Sequence, residues 1–452
     1  MTTTVYRRVR ELLSRHGGIA ALAKALFRIS TTYGIAGLGH RARFLLRGKS
    51  SAPRSPLGDR RRPISGHRLP VNRSRFSPGA LLVGHPYAVL GRAEDIRTAA
   101  CALNASNVPF AMRNLFGDYG RQWAARHKDF PLMHRLDAEA SFRANIFVLN
   151  ANEMEMAWHH HGDALFAERY NIGYWAWELS HFPDAWRPAL AGLHEIWAPS
   201  RFIQQAIAEK ATCPVVWMPL AVEPGSIPAV NRAELGLSED RFLFLFFFDF
   251  RSFVARKNPH AVIQAFEDAF DPNDQSVGLV VKTNGMEECT DASEQFKAET
   301  QRRDSRITWI DRVMDDREIK ALVHQCDCFV SLHRSEGFGR GLAEAMYMGK
   351  PVIATGYSGN LDFMNESNCC LVDHRLVPVG DDDYPFGAGQ LWADPDVEMA
   401  SGFMNALVAD PGLARRVGTA GASYIRQHHS FKSVGARYRR RLEQLGLVDR
   451  VS

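Results

Sequence analysis

The stretch SLHRSEGFGRGLAEAMYMGKPVIATGYSGNLDFM (331–364) decides how this chain folds. It opens at the end of CFVSL (328–332), a short apolar run of the kind that forms a buried parallel strand. SEGFGRG then reads as a loop that opens a helix, LAEAMYMGK. Gly337, Gly339 and Gly341 allow a sharp turn and a close approach of backbone to a ligand. The helix start behind them offers unpaired N–H groups and the positive end of the helix dipole, a setting that suits a diphosphate. Glu336 precedes the loop and Glu344 lies about a turn into the helix. A carboxylate accepts two hydroxyl hydrogen bonds, so each glutamate can hold a vicinal diol. Taken alone, the glycines also fit any strand-to-helix turn of a Rossmann-like protein, with both glutamates merely solvated.

Outward from this stretch the chain alternates strands and helices. RFLFLFFFDF (241–250) carries a continuous apolar run from Phe242 to Phe248, which predicts a strand buried on both faces. NPHAVIQAFEDAF follows as a helix, and VGLVVK, RITWI, PVIA and CCLV read as further strands. On the N-terminal side ALLVG (80–84), NIFVLN (145–150), YNIGYW (170–175), EIWAPS (195–200) and VVWMPL (215–220) are strand candidates. RFIQQAIAEK reads as a helix capped by Ser200. Such alternation implies parallel sheets with right-handed crossovers. The fold class is therefore α/β, with two Rossmann-like, doubly wound domains facing a cleft. Ligands in such sheets bind beyond the carboxyl ends of the strands. The expected division is a basic extension and linker (1–75), an N-terminal acceptor domain (76–225) and a C-terminal donor domain (236–428). A final helix (429–452) is expected to pack back on the N-terminal domain.

Composition narrows the function classes. The chain has 452 residues, 46% of them hydrophobic and 23% charged, which fits globular domains. No apolar stretch is long enough to span a bilayer, and no secretory signal is visible. Seven cysteines lack the spacing of a metal site, so reduced thiols in the cytoplasm are expected. Charge is uneven: residues 1–75 hold seventeen Lys/Arg against Glu11 and Asp59, a balance of +15 that leaves −10 for the rest of a +5 chain. Val5, Val9, Leu12 and Leu13 form an apolar stripe beside Arg7, Arg8 and Arg15. This pattern suits peripheral attachment to an anionic membrane surface. It equally suits helices packed on the acidic body with their arginines in water. Nucleic acid is not an expected partner, since the basic segment lacks interleaved aromatics and any known binding module.

The stretch 331–364 resembles the E-x7-E signature of glycosyltransferase family 4 (group 1), retaining enzymes of the GT-B fold, here with Glu336 and Glu344. The resemblance runs over about residues 80–445. It includes FDFRSFVARKNPHAVIQAF (248–266), DRVMDDREIKALVHQCDCFVSLHRSEGFG (311–339) and YNIGYWAWELSHFPDAW (170–186). It implies transfer of a sugar from a nucleotide-sugar donor to a saccharide or lipid-linked acceptor, as in cell-surface polysaccharide synthesis. Glu336 would contact hydroxyls of the donor sugar and Glu344 the ribose diol. Backbone groups of Phe338, Gly339, Arg340 and Gly341 would meet the sugar and diphosphate, and the turn at Arg312 and Val313 would read the base. Lys257 would neutralise the departing diphosphate. The family's usual arginine five residues earlier is replaced by Ser252, so Arg251 or Arg256 would supply the second cation. With these charges and the helix dipole, no metal or other cofactor is expected.

On the N-terminal side the resemblance points to Gly91 and Arg92, facing the transferred group or acceptor, and to Asn152 or Glu153 near the reacting sugar. Trp175, Trp177 and Glu178 read either as an acceptor platform or as core. Lys282 reads either as a phosphate or loop contact or as a structural residue. A Rossmann oxidoreductase would need G-x-G-x-x-G after the first strand, which residues 84–97 lack. A non-catalytic binding protein is disfavoured by the intact Glu336, Glu344 and Lys257.

Overall fold

The structure is a computed structural model that describes residues 70–450, apart from 89–90, 116–129, 138 and 286–303. The N-terminal basic helix, the linker up to residue 69 and the membrane contact expected of them lie outside the described residues.

Two parallel sheets of six strands each organise the chain. The first holds β1 (Ser77–Gly84), β2 (Phe110–Asn114), β3 (Phe142–Phe147), β4 (Tyr170–Tyr174), β5 (Glu195–Ala198) and β6 (Val215–Trp217), in the order β2-β1-β3-β4-β5-β6. The second holds β7 (Phe242–Asp249), β8 (Val277–Asn284), β9 (Ile307–Asp311), β10 (Cys328–Ser331), β11 (Val352–Thr355) and β12 (Cys370–Val372), in the order β12-β11-β10-β7-β8-β9. Each order reverses beside its first strand, between β1 and β3 and between β7 and β10. Those are the two switch points at which a doubly wound sheet opens a crevice beyond its carboxyl ends.

Among the described residues the α-helices are α1 (Gly91–Ala105), α2 (Ala151–His161), α3 (Asp163–Phe166), α4 (Arg201–Ala208), α5 (Val254–Lys257), α6 (Pro259–Ala269), α7 (Asp316–Gln325), α8 (Arg340–Tyr347), α9 (Val397–Ala409), α10 (Pro411–His428) and α11 (Phe431–Gln444). β7 is the apolar run at 241–250, with Leu243, Phe244, Leu245, Phe246 and Phe248 all buried between the helix layers. Ser200 caps α4, its hydroxyl accepting the Ile203 N–H at 3.2 Å.

Two features join the halves. Helix α11 runs back onto α1, where Gly435 lies so close to the Ala102 carbonyl that a Cβ would overlap it. The Tyr438 and Tyr174 hydroxyls meet at 3.0 Å, and Arg441 Nε donates to the fully buried Glu195 carboxylate at 3.0 Å. The second feature is an antiparallel hairpin, β13 (His374–Pro378) and β14 (Leu391–Pro395), inserted between β12 and α9. β2 and this hairpin are the strands that patterning did not single out. β2 is a short edge strand preceded by Pro109, and the hairpin strands are separated by a Gly- and Asp-rich loop that reads as coil.

Candidate active site

The crevice at the second switch point is built by the segments that follow β7 and β10. After β7 the chain turns through Phe250–Ser252 into the short helix α5, which ends on Arg256 and Lys257. Arg251 falls in that turn, but its side chain lies outside the described set. After β10 the loop 332–339 leads into α8. Gly339 caps that helix at φ +89°, a left-handed conformation that favours glycine. Gly341, in the first turn, lets α8 lie against the Phe247 ring. Phe338 is buried against Phe363, with ring centres 5.1 Å apart. The residues expected to meet the diphosphate thus stand at a helix N-terminus at the carboxyl edge of the sheet.

Lys257 and Glu336 form an ion pair within this crevice, and Arg256 Nη1 stands 3.3 Å from the same carboxylate oxygen. Burial alone would raise the Glu336 carboxyl, but Lys257 and Arg256 overcome it and push the group down to about 2. Burial lowers the Lys257 ammonium, with Glu336 opposing. Arg256 is buried beside this pair and donates to the Ser335 carbonyl at 3.0 Å. Beneath the loop, His333 bridges Ser331 Oγ and Asn360 Oδ1, each at 3.1 Å. Burial lowers the His333 imidazole, which favours the neutral form suited to that bridge.

Glu344 lies one turn into α8, with Arg340 Nη1 4.0 Å from its carboxylate. Burial pushes Glu344 up to about 7 against the pull of Arg340, with Glu94 and Asp316 adding to the rise. The Arg340 side chain crosses to the other half of the protein, donating to Asp95 Oδ1 at 2.5 Å. Arg92 donates to the other oxygen of Asp95 at 2.6 Å and to the Leu149 carbonyl at 3.2 Å, and it also reaches the Tyr174 carbonyl. Arg92 therefore ties α1 to the ends of β3 and β4, and its guanidinium is committed to protein partners. Gly91 starts α1 on the exposed side, with open space where a Cβ would stand.

Asn152 lies in the first turn of α2, its Oδ1 buried and without a hydrogen-bond partner among the described residues. Neighbouring Glu153 is engaged twice, accepting the Asn150 N–H at 2.7 Å and meeting His85 Nε2 at 2.9 Å. The His85–Glu153 pair closes the first switch point, and sequence reasoning passed over His85. Trp175 and Trp177 are buried in the N-terminal core, so of their two readings the structure takes core. Lys282 is buried along β8. Arg312 and Val313 stand at the rim after β9, Arg312 bonded to Glu318 at 2.6 Å and Val313 exposed.

The loop before α8 is also fastened to the N-terminal half. Ser200 Oγ donates to the Gly337 carbonyl at 2.6 Å and Ser335 Oγ donates to the Glu178 carbonyl, while the Arg201 N–H donates to Asp362, in the turn after β11, at 2.8 Å. Contacts from both sheets thus meet around two cations, Glu336, Glu344 and a helix N-terminus. Such a set can neutralise a diphosphate and accept hydroxyl hydrogen bonds on either side of it.

Comparison with solved structures supports this architecture. The chain is similar to HepE of Anabaena, with a TM-score of 0.58 at 12% identity over 81% of this chain and 100% of that one. It is similar to a glycosyltransferase from Rickettsia africae, with a TM-score of 0.58 at 13% identity over 82% and 99% of the two chains. It is similar also to sucrose-phosphate synthase from Thermosynechococcus elongatus, with a TM-score of 0.57 at 15% identity over 81% and 99%. These likenesses show the fold, two Rossmann-like domains in the GT-B arrangement. Residues 229–383, which carry Lys257, Glu336 and Glu344, match the family model of the glycosyl transferases group 1.

Proposed function

We propose that this protein is a retaining glycosyltransferase of the family 4 type, moving a sugar from a nucleotide-sugar to a saccharide or lipid-linked acceptor in cell-surface polysaccharide synthesis. The observation that carries the reading is the Lys257–Glu336–Arg256 cluster beside the N-terminus of α8, at a switch point of the sheet. The diphosphate would take Lys257, Arg256 and the helix N–H groups in place of a metal ion. Glu344 would accept the ribose diol and the rim at Arg312 and Val313 would meet the base. With the cations drawn to the phosphates, Glu336 would turn to the sugar hydroxyls. The leaving diphosphate would depart on the face that the acceptor enters, its oxygen taking the acceptor proton. HepE was solved with UDP-glucose and with UDP and glucose, ligands of the class proposed for this chain.

A thermal-shift screen of UDP-, GDP- and dTDP-sugars tests this reading. A donor at a hundred times its dissociation constant should add about 2.7 kcal/mol of stability. Failure of all three nucleotide classes to raise the melting temperature would sink it. The lipid-linked acceptor fits the +15 balance of residues 1–75, through which the enzyme would dock at the inner face of the membrane. No helix of the described residues is long and apolar enough to cross a membrane. Flotation on anionic vesicles should be lost in a chain lacking residues 1–75, and equal flotation of both forms would end the docking idea.

A further inference from the structure

We propose that Glu178, held by Tyr384 of the inserted hairpin, completes a two-carboxylate cradle with Glu336 that admits neutral hexosyl donors and excludes uronic acid donors. The proposal rests on the nucleotide-sugar reading above and specifies its substrate class.

The loop between β13 and β14 carries Tyr384 deep into the molecule, where it is 8% exposed. Its hydroxyl donates to Glu178 Oε2 at 2.5 Å. Its ring packs on Phe253 at 4.8 Å, on Trp177 at 5.9 Å and under the Arg256 guanidinium at 5.8 Å. Gln390, on the same loop, accepts the His181 N–H at 3.0 Å. The hairpin thus clasps both ends of the 178–181 segment. Glu178 is thereby brought beside the loop that carries Glu336. A Cβ on Gly337 would lie 2.9 Å from the Trp177 carbonyl and 3.7 Å from Glu178 Cγ. The Ser335 hydroxyl, next to Glu336, donates to the Glu178 backbone carbonyl. Glu178 also contributes to the field acting on Arg256 and Lys257.

Glu178, half-buried, therefore lies on the segment packed against the loop whose Glu336 pairs with Lys257 and Arg256. A diphosphate would compete for Arg256 and Lys257, because its two phosphates together carry more charge and more acceptor oxygens than one carboxylate. Glu336 and Glu178 would then need donors, and a neutral hexose presents several hydroxyls. A uronic acid would place a third carboxylate against them, with desolvation raising the cost of like-charge contact. The Tyr384 hydroxyl acts on Glu178 rather than on the sugar, so Tyr384 is a positioning residue.

Calorimetric titration of the full chain separates the two levels of the claim. The probes are UDP, UDP-glucose and UDP-glucuronate, with GDP, GDP-mannose and GDP-mannuronate, and dTDP, dTDP-glucose and dTDP-glucuronate, as the matched sets. In the set whose nucleoside diphosphate binds, the wild type should prefer the hexose donor over the uronate by at least about tenfold. Glu178→Gln should shrink that ratio to about threefold or less while the bare nucleoside diphosphate keeps its affinity. Tyr384→Phe should shrink it partly, with melting curves confirming that both variants are folded. Equal binding of hexose and uronate by the wild type, or an unchanged ratio in Glu178→Gln, would overturn the cradle while the nucleotide-sugar reading stood. Binding of none of UDP, GDP and dTDP would remove that reading and the cradle with it.

Discussion

Lys257→Ala is expected to lower turnover about 10²-fold or more, through lost stabilisation of charge on the leaving diphosphate. The lysine belongs to a partly desolvated cluster, and its ammonium is held beside Glu336. In such a site a fixed charge acts with little solvent screening. Its contribution should grow as the bond to the diphosphate breaks, so kcat should fall more than KM rises. Lys257→Arg would keep the charge and should recover part of the rate. The measurement is nucleoside diphosphate release from the preferred donor, alongside a melting curve for each variant. A full-rate alanine variant would place the essential cation elsewhere in the cleft.

Glu336→Gln is expected to lower turnover by about 10- to 150-fold, the range that follows from losing a hydrogen bond to a charged group worth about 1.5–3 kcal/mol. The carboxylate is ionised over the whole working range, since Lys257 and Arg256 outweigh its burial. An amide keeps the shape but gives up the charge and one acceptor site. It also releases both cations from their pairing, so binding of the bare nucleoside diphosphate should be retained or tightened. Steady-state kinetics and a nucleotide titration on the same variant check both halves. Wild-type kinetics, or nucleotide affinity falling in step with turnover, would remove Glu336 from the sugar-contact role.

The parts of this account that could be read from the chain are those with local signatures. The apolar run of β7 becomes a strand with most of its side chains buried, and the Gly-rich string before LAEAMYM becomes a loop and helix start. Lys257 and Glu336, far apart in sequence, meet because α5 and the loop after β10 flank one switch point. Arg256 stands beside that pair, whereas the side chain of Arg251, the alternative the sequence offers, lies outside the described residues. Arg340 and Arg92 carry no sign in the chain that Asp95 will bind both from opposite sides. The His85–Glu153 pair and the Tyr384–Glu178 contact span 68 and 206 residues, beyond any periodicity or spacing rule. Tyr384 in particular lies in GDDDYPFGAGQ, a string whose composition reads as exposed turn.

Glu344 offers the most direct test that the nucleotide occupies this cleft. Its carboxyl is pushed up to about 7, with Arg340, Glu94, Asp316 and Lys320 the charged groups acting on it. A ribose diol donating to it favours the ionised form, so binding must release its proton. The sign follows: affinity is full above pH 7 and falls as pH drops below it, by about tenfold between pH 8 and pH 6. A nucleotide-sugar is the proper ligand, because its diphosphate is esterified at both ends and has no titration in that window. Calorimetric titration at pH 6 and pH 8, in wild type and Glu344→Gln, should show this tenfold change in the wild type. In the variant, binding should be weaker at pH 8 and nearly independent of pH. Equal affinity at both pH values in the wild type, together with an unimpaired Glu344→Gln, would contradict the placement of the nucleotide on α8 and with it the proposed active site.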